Sequence, residues 1–126
     1  MAEDRMACRG VRGATTIDGA PGAMEAFSVE LLERMLEANE ASLQDVAAAI
    51  FTLDDDLAGE NPAAAARSAG WDAVPLLMVR EHGADARVGR CLRVLLLVNT
   101  TRPQAAIRHV YLRDATVLRP DLTPTQ

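Results

Sequence analysis

The chain has 126 residues, 49% of them hydrophobic and 25% charged, which is enough apolar material for one globular core but not for two. Its net charge of −5, with one Tyr, one Trp and two Phe, argues against a nucleic-acid surface. The longest uncharged apolar run, 94–98, is far short of a membrane span, and the first twenty residues lack the apolar centre of a signal peptide, so we expect a cytoplasmic protein with no membrane partner.

The first predicted elements are a strand and a long helix. Residues 7–14 read as a strand that Gly13 would end. After a turn at 19–22, hydrophobic side chains recur at helical spacing between charged ones. The stripe consists of Met24, Phe27, Leu31, Met35 and Leu36. This pattern predicts one amphipathic helix that packs on the core.

A short helical turn and a second strand follow. Ser42 and Asp45 have the spacing of a capping box at the start of a helical turn. Residues 49–53 read as a buried strand. We expect the acidic residues 54–56 behind it to be solvated.

A second helix is predicted by its start and stop signals. Asn61 can cap the first amides, Pro62 fits the first helical position, and Gly70 suits the end. Arg67 would therefore lie on a short helix.

The rest of the chain predicts three strands and one short helix. The strands are 73–81, 91–100 and 109–112, and the helix spans 101–107. Strands interleaved with helices indicate a single small α/β (α+β) domain with a mixed sheet and flanking helices.

One strand carries a charge in an apolar run. Alternation places Arg93 on one face with Cys91, Leu95 and Leu97, and leaves Leu92, Val94, Leu96 and Val98 on the other. An unpaired charge in such a place would cost several kcal/mol to desolvate. Either Arg93 forms a buried ion pair, most simply with Glu81, or its guanidinium faces a pocket. With Arg12 and Tyr111 at strand ends, such a pocket would suit a small dianion.

Several kinds of catalytic site are missing from the sequence. There is no GxSxG motif, and the absence of lysine removes Schiff-base chemistry and the P-loop lysine. His82 and His109 with two separated cysteines make a poor metal set, so we expect no metal and no cofactor, and interpret His109 as a structural or surface residue. Cys8 and Cys91 are interpreted as reduced, buried thiols.

Three segments are distinctive in combination. RGVRGATT occupies residues 9–16, CLRVLLLV occupies 91–98, and RHVYLRDATVLRPDL occupies 108–122. Together they closely resemble the small monofunctional chorismate mutases of the AroH class, over residues 9–122.

The resemblance implies a domain, an assembly and an activity. Residues 1–8 would be a flexible N-terminal extension and 123–126 a C-terminal tail around a chorismate mutase domain. Three such α/β domains would pack as a homotrimer with a barrel-like core and active sites at the subunit interfaces. The enzyme would isomerise chorismate to prephenate in aromatic amino-acid biosynthesis, by a pericyclic rearrangement that needs no cofactor.

The resemblance also implies roles for individual residues. Arg12 would bind a substrate carboxylate, helped by Tyr111, and Arg93 would lie beside the ether oxygen whose bond breaks. Glu81 would bind the ring hydroxyl and offset the charge of Arg93. The segment before Glu81 would line the ring through Leu77, Met78, Val79 and Arg80.

Other residues would enter the site from the adjacent subunit. By resemblance these are Ala63 and Arg67 on the second helix, and Leu118 and Arg119 near the C-terminus.

The sequence departs from the family at three positions in or near this site. Met78 stands where family members can have cysteine, so a contact there with the hydroxyl must use the backbone. Asn61 replaces a phenylalanine at the pocket mouth, and Ala64 stands where some relatives have lysine. The mouth is therefore expected to be less apolar and less positive, which bears on substrate capture.

Two other functions are compatible with the same pattern. A non-catalytic protein that binds anionic metabolites on the same trimeric scaffold would keep Arg12 and Tyr111 but would not need Arg93 beside Glu81. An imine deaminase of the Rid family has a similar trimeric architecture, but only fold analogy supports it.

Overall fold

One mixed sheet of five strands organises the chain. A computed structural model describes residues 5–83 and 88–119. The strands are β1 Ala7–Thr16, β2 Val46–Leu53, β3 Leu76–Arg80, β4 Cys91–Thr100 and β5 Val110–Tyr111. They lie in the order β3-β2-β4-β1-β5. β4 is antiparallel to both β1 and β2, whereas β3 and β5 pair in parallel with their neighbours, as the prediction of a mixed sheet requires.

Two helices lie against this sheet. They are α1 Ala23–Ala38 and α2 Pro62–Ala66, and α2 continues into a π-helical turn at Arg67–Trp71. Short 3₁₀ turns occur at Leu43–Asp45, Asp55–Leu57, Gln104–Ala106 and Arg113–Val117. The described residues contain no helix that is both long and apolar enough to cross a bilayer.

The main core lies between the sheet and α1. On β4 the side chains of Leu92, Val94, Leu96 and Val98 are buried, as strand alternation predicts. On α1 the predicted stripe faces inward at Met24, Leu31 and Met35. Gly13 on β1 makes this packing possible, because a Cβ atom there would overlap the fully buried side chain of Met35. This is the physical reason for a glycine at that position of the strand.

The helix signals in the sequence are confirmed. The Asn61 Oδ1 atom accepts a hydrogen bond from the Ala64 amide at 2.9 Å, and Gly70 has φ +102° where the turn ends. The Ser42 amide donates to the Asp45 Oδ2 atom at 2.9 Å in the predicted capping box.

Several boundaries differ from the prediction. β1 runs to Thr16, so Gly13 lies inside the strand and does not end it. β2 begins three residues earlier than expected, at Val46, and β3 is confined to Leu76–Arg80. β1 begins at Ala7 as predicted, so residues 7 and 8 of the stretch assigned to the N-terminal extension belong to the strand. Residues 1–4 of that extension and the predicted tail, 123–126, lie outside the described residues.

Two expectations about exposure are wrong. Asp54 is 5% exposed rather than solvated, because it follows β2 directly and its side chain turns inward to the start of β4. Cys8 is exposed rather than buried, because its position on β1 faces away from the core; Cys91 is buried, and both thiols are free.

Candidate active site

The site residues share one face of the sheet because of strand register. Arg93 on β4 pairs with Ala14 on β1 and Thr52 on β2, and Ala14 also pairs with Tyr111 on β5. Residues directly opposite one another on neighbouring strands point to the same side. Thr52, Arg93, Ala14 and Tyr111 therefore form one row across the sheet.

A second row lies two residues away on the same face. Leu95 on β4 pairs with Arg12 on β1 and with Ile50 on β2. This face is opposite to the one that α1 covers. The two rows form the floor of a cleft of about 530 Å³. Besides them, its lining includes Glu81, Gly83, Leu118 and Arg119.

Arg93 lies in this cleft beside a carboxylate. Its Nε atom is 3.3 Å from the Glu81 Oε1 atom, and the two side chains are 28% and 20% exposed. The same Nε atom is buried, and none of the described residues accepts a well-aligned hydrogen bond from it. Both interpretations of the sequence therefore hold, since Arg93 forms the ion pair and also faces a pocket.

Glu81 is fixed by two contacts besides the ion pair. Its Oε1 atom accepts a hydrogen bond from the Thr52 hydroxyl at 2.6 Å, and its backbone N–H donates to the carbonyl of Leu53 at 2.9 Å. Because Thr52 lies in the same row as Arg93, the carboxylate is held over that row.

Arg12 and Tyr111 occupy the other side of the cleft. Arg12 is exposed, whereas Tyr111 is 8% exposed. Burial raises the pKa of the Tyr111 hydroxyl, although the positive charges of Arg12 and Arg119 act in the opposite direction. The hydroxyl therefore keeps its proton at neutral pH and can donate a hydrogen bond to an anion.

Asp54 is a buried carboxylate close to this charge pair. Its Oδ2 atom accepts a hydrogen bond from the Cys91 amide at 3.2 Å, while Oδ1 is buried with no hydrogen-bond partner among the described residues. Burial raises the pKa of Asp54, and the nearby positive charge of Arg93 only partly opposes this effect.

The structure brings together six of the predicted site residues in one subunit. They are Arg12, Glu81, Arg93, Tyr111, Leu118 and Arg119. Leu118 and Arg119, which we expected to enter the site from an adjacent subunit, line the cleft of their own subunit. The 3₁₀ turn at Arg113–Val117 packs along β1 and delivers both residues to the cleft of their own subunit.

The other predicted residues lie outside this cleft. Leu77, Met78 and Val79 are 56%, 39% and 39% exposed on the edge strand β3. Arg80 is also exposed there, and its Nε atom donates to the Asp55 Oδ1 atom at 2.6 Å.

The α2 region also lies apart from the cleft of its own subunit. Ala63 is 5% exposed and packs within the core, while Arg67 is exposed at the beginning of the π-helical turn.

Thr52 is a site residue that the sequence did not reveal. It is the polar member of the apolar strand β2, and alternation places it on the face of Ile50. That signal was present, but its meaning depends on the register between β2 and β4, which joins it to Arg93.

The cleft has the chemistry of an anion site. The guanidinium groups of Arg12, Arg93 and Arg119 and a protonated phenol can bind carboxylates through charge-assisted hydrogen bonds, and Glu81 supplies one acceptor. Within residues 5–83 and 88–119, no three His, Cys, Asp or Glu side chains are grouped so that they could hold a metal ion.

Comparison with known proteins gives consistent matches over nearly the whole chain. A family model described as chorismate mutase type I matches residues 8–122. Chorismate mutase AroH of Thermus thermophilus is 48% identical over 120 residues, covering 94% of this chain and 98% of the relative. Chorismate mutase AroH of Bacillus subtilis (strain 168) is 37% identical over 123 residues, covering 96% and 97%.

A solved structure agrees in fold as well. The chorismate mutase from Clostridium thermocellum Cth-682 superposes with a TM-score of 0.80 at 37% identity, covering 86% of this chain and 97% of that chain. The predicted class, a small domain with a mixed sheet and flanking helices, is confirmed by this likeness.

Proposed function

Because the chain belongs to the chorismate mutase type I family, we propose that its cleft binds chorismate and that Arg12, Glu81 and Arg93 carry the reaction. The chain is an isomerase that converts chorismate to prephenate in aromatic amino-acid biosynthesis. The observation that supports these roles is the placement of both arginines, Glu81 and Tyr111 in one cleft. A purely anion-binding protein would need Arg12 and Tyr111 but not Arg93 beside Glu81.

The reaction needs positioning and charge stabilisation rather than a nucleophile. In this pericyclic rearrangement one C–O bond breaks while one C–C bond forms in the same molecule, with no proton transfer. A catalyst can hold the side chain over the ring in the reactive conformation and stabilise the negative charge that grows on the ether oxygen. We therefore expect no dependence on a metal ion or cofactor.

Arg12 and Arg93 would divide these tasks. Arg12, with the protonated Tyr111 hydroxyl, would bind a carboxylate that is charged throughout the reaction. Arg93 lines the cleft with its side chain 28% exposed, so its guanidinium can serve as a preorganised donor to the ether oxygen. Glu81 would bind the ring hydroxyl while the Thr52 hydroxyl keeps its carboxylate in place.

The proposed active unit is a homotrimer with clefts at its interfaces. Leu77, Met78 and Val79 expose apolar surface on an edge strand, and both features favour burial against another chain. Arg67 and Ala63 lie outside the cleft of their own subunit, so they could contribute only to a neighbour's site. The segment Leu77–Arg80 would line the ring from this interface.

The remaining proposals follow from the family. The chorismate mutase domain would span residues 9–122, and the enzyme would act in the cytoplasm, where prephenate is made for phenylalanine and tyrosine synthesis.

The test of the proposed function is an assay of chorismate conversion to prephenate by the purified protein, before and after exhaustive treatment with EDTA. An unchanged rate is expected. Loss of activity that a divalent ion restores would contradict the proposed mechanism.

A further inference from the structure

The histidine that precedes β5 is bonded to the strand that carries Arg12. The Nδ1 atom of His109 accepts a hydrogen bond from the backbone N–H of Arg12 at 2.9 Å, across 97 residues of chain. The parallel ladder between β1 and β5 begins one residue later, where Gly13 pairs with Val110. The imidazole therefore supplies the acceptor that the ladder does not provide for Arg12.

A second side chain completes the same edge of β1. Gln104 accepts a hydrogen bond from the Gly10 amide at 3.0 Å and donates one to the Gly10 carbonyl at 2.7 Å. Gln104 and His109 thus bind β1 ahead of β5, at positions two residues apart. Of these two side chains, only His109 bonds to Arg12, whose guanidinium lies in the cleft.

His109 is anchored by the end of α1. The buried Asn39 side chain donates to the carbonyls of Met35 at 2.8 Å and Arg108 at 2.9 Å, and it accepts from the Arg108 amide at 2.7 Å. The backbone next to the histidine is therefore fixed to the helix. A rigid chain of contacts leads from α1 through residues 108 and 109 to Arg12.

The hydrogen bond defines the protonation state of the ring. An imidazole nitrogen that accepts a hydrogen bond carries no proton, so His109 is neutral with its proton on Nε2. Protonation would place an N–H group against the N–H of Arg12 and break the bond. Burial lowers the pKa of His109, and the positive charges of Arg12 on β1 and Arg119 after the last 3₁₀ turn lower it further.

We propose that His109 is a positioning residue for Arg12, whose neutral ring fixes the backbone from which the carboxylate-binding guanidinium projects. Protonation of the ring then weakens substrate binding. This inference rests on the proposed function, since the carboxylate in question belongs to chorismate. A positive ring would also attract a dianion, so the direction of the pH effect distinguishes lost positioning from simple attraction.

The decisive experiment compares three substitutions at this position. In His109→Asn the amide oxygen can replace Nδ1 as the acceptor but cannot be protonated, whereas His109→Ala leaves no acceptor. His109→Gln places its amide group farther along the side chain. Gln104→Ala is the matched control, because it removes bonds to β1 without touching Arg12.

The expected results separate KM from kcat. His109→Ala and His109→Gln should raise the KM for chorismate about three- to tenfold, as for one lost hydrogen bond, with a smaller change in kcat. His109→Asn should restore a KM near that of the wild type. As the pH is lowered below 6.5, the ordinary pKa of histidine, the wild-type kcat/KM should decrease. This decrease should be absent in His109→Asn but present in Gln104→Ala.

Amide NMR provides a readout that does not depend on activity. The Arg12 amide resonance should move with pH in the wild type and stay still in His109→Asn. If His109→Ala does not fold, the Asn variant and the NMR titration still decide the question. A wild-type KM in both His109→Ala and His109→Gln, a kcat/KM that rises on protonation, or an Arg12 amide insensitive to pH would overturn the inference. Failure of the wild type to convert chorismate would instead overturn the proposed function.

Discussion

Glu81 holds Arg93 in the cleft by charge rather than by a well-aligned hydrogen bond. Their closest atoms are 3.3 Å apart, and the Arg93 Nε atom has no aligned acceptor among the described residues. The guanidinium is thus restrained while the side chain stays 28% exposed and lines the cleft. This arrangement is what a donor to a charge that appears only in a transition state requires.

Arg93→Ala should therefore act on the chemical step. We expect kcat to fall about a hundred- to a thousandfold, the effect of removing one preorganised donor to a developing oxyanion. Arg12→Ala is the comparison variant. Its carboxylate partner is charged in substrate and transition state alike, so that change should raise KM at least as much as it lowers kcat. A near-normal kcat with only a raised KM in Arg93→Ala, with an intact circular dichroism spectrum, would contradict the electrostatic mechanism.

Subunit mixing tests the proposed interfacial site. Arg67→Ala and Arg93→Ala chains should each be nearly inactive alone. After exchange of subunits, some mixed clefts would hold both arginines and recover part of the activity. Light scattering should report a trimer throughout. A fully active monomer, or mixtures that never gain activity despite proven exchange, would contradict the assembly.

Asp54→Asn should stabilise the protein at neutral pH. Burial raises the pKa of Asp54 in the folded state, so the ionised carboxylate is disfavoured there. The penalty is complete above the raised folded pKa and disappears below the unfolded pKa of about 3.9. We expect the melting temperature to rise by a few degrees at pH 7, and the gain to shrink as the pH falls towards 4.

Asp55→Asn is the control for that experiment, because the pKa of Asp55 is shifted in the opposite direction. Asp55 is exposed, and its hydrogen bond from Arg80 lowers its pKa, so its charge favours the folded state above the unfolded pKa. Its replacement should give no rise in melting temperature at pH 7. Equal shifts in the two variants would show that the burial of Asp54 carries no penalty.

Gly13→Ala should destabilise the fold. A methyl group there overlaps Met35, which is fully buried and must shift, and overpacking of this kind costs about 1–3 kcal/mol. Gly10→Ala is the matched change, since its methyl group would meet only Leu95, at an ordinary 3.5 Å. Urea unfolding should show the loss for Gly13→Ala alone, and a smaller loss in a Met35→Ala background.

The two thiols should differ in reactivity. Burial raises the pKa of Cys91 to about 12, so almost no thiolate exists at pH 8, whereas Cys8 is exposed. Ellman's reagent should label one thiol per native chain, and Cys8→Ser should abolish that fast reaction. Rapid labelling of two thiols in the folded protein would contradict the burial of Cys91.

Local patterns predicted the elements of the fold well. Apolar spacing identified α1, and the alternation on β4 separated its two faces correctly. Asn61 caps α2 as predicted. These signals depend on residues that are neighbours in sequence, and a sequence displays such relationships directly.

Strand register explains which features of the site could not be predicted from the sequence. Thr52 joins the site only because β2 pairs with β4 in one alignment, and a shift of one residue would turn it to the opposite face. The inward turn of Asp54 likewise depends on the amide of Cys91, 37 residues later. The resemblance named Arg12, Glu81 and Arg93, but the local pattern could not show that Leu118 lies in the cleft of its own subunit.

The sheet order has a consequence for synthesis on the ribosome. β1 is synthesised before its partners, β4 and β5. The acceptor for the Arg12 amide, His109, lies 97 residues downstream. Until the last strands emerge, the nascent chain presents β1 with both edges open, and open edges invite pairing with other chains. Translation products that stop before residue 91 should therefore aggregate, and productive folding should await nearly the entire polypeptide.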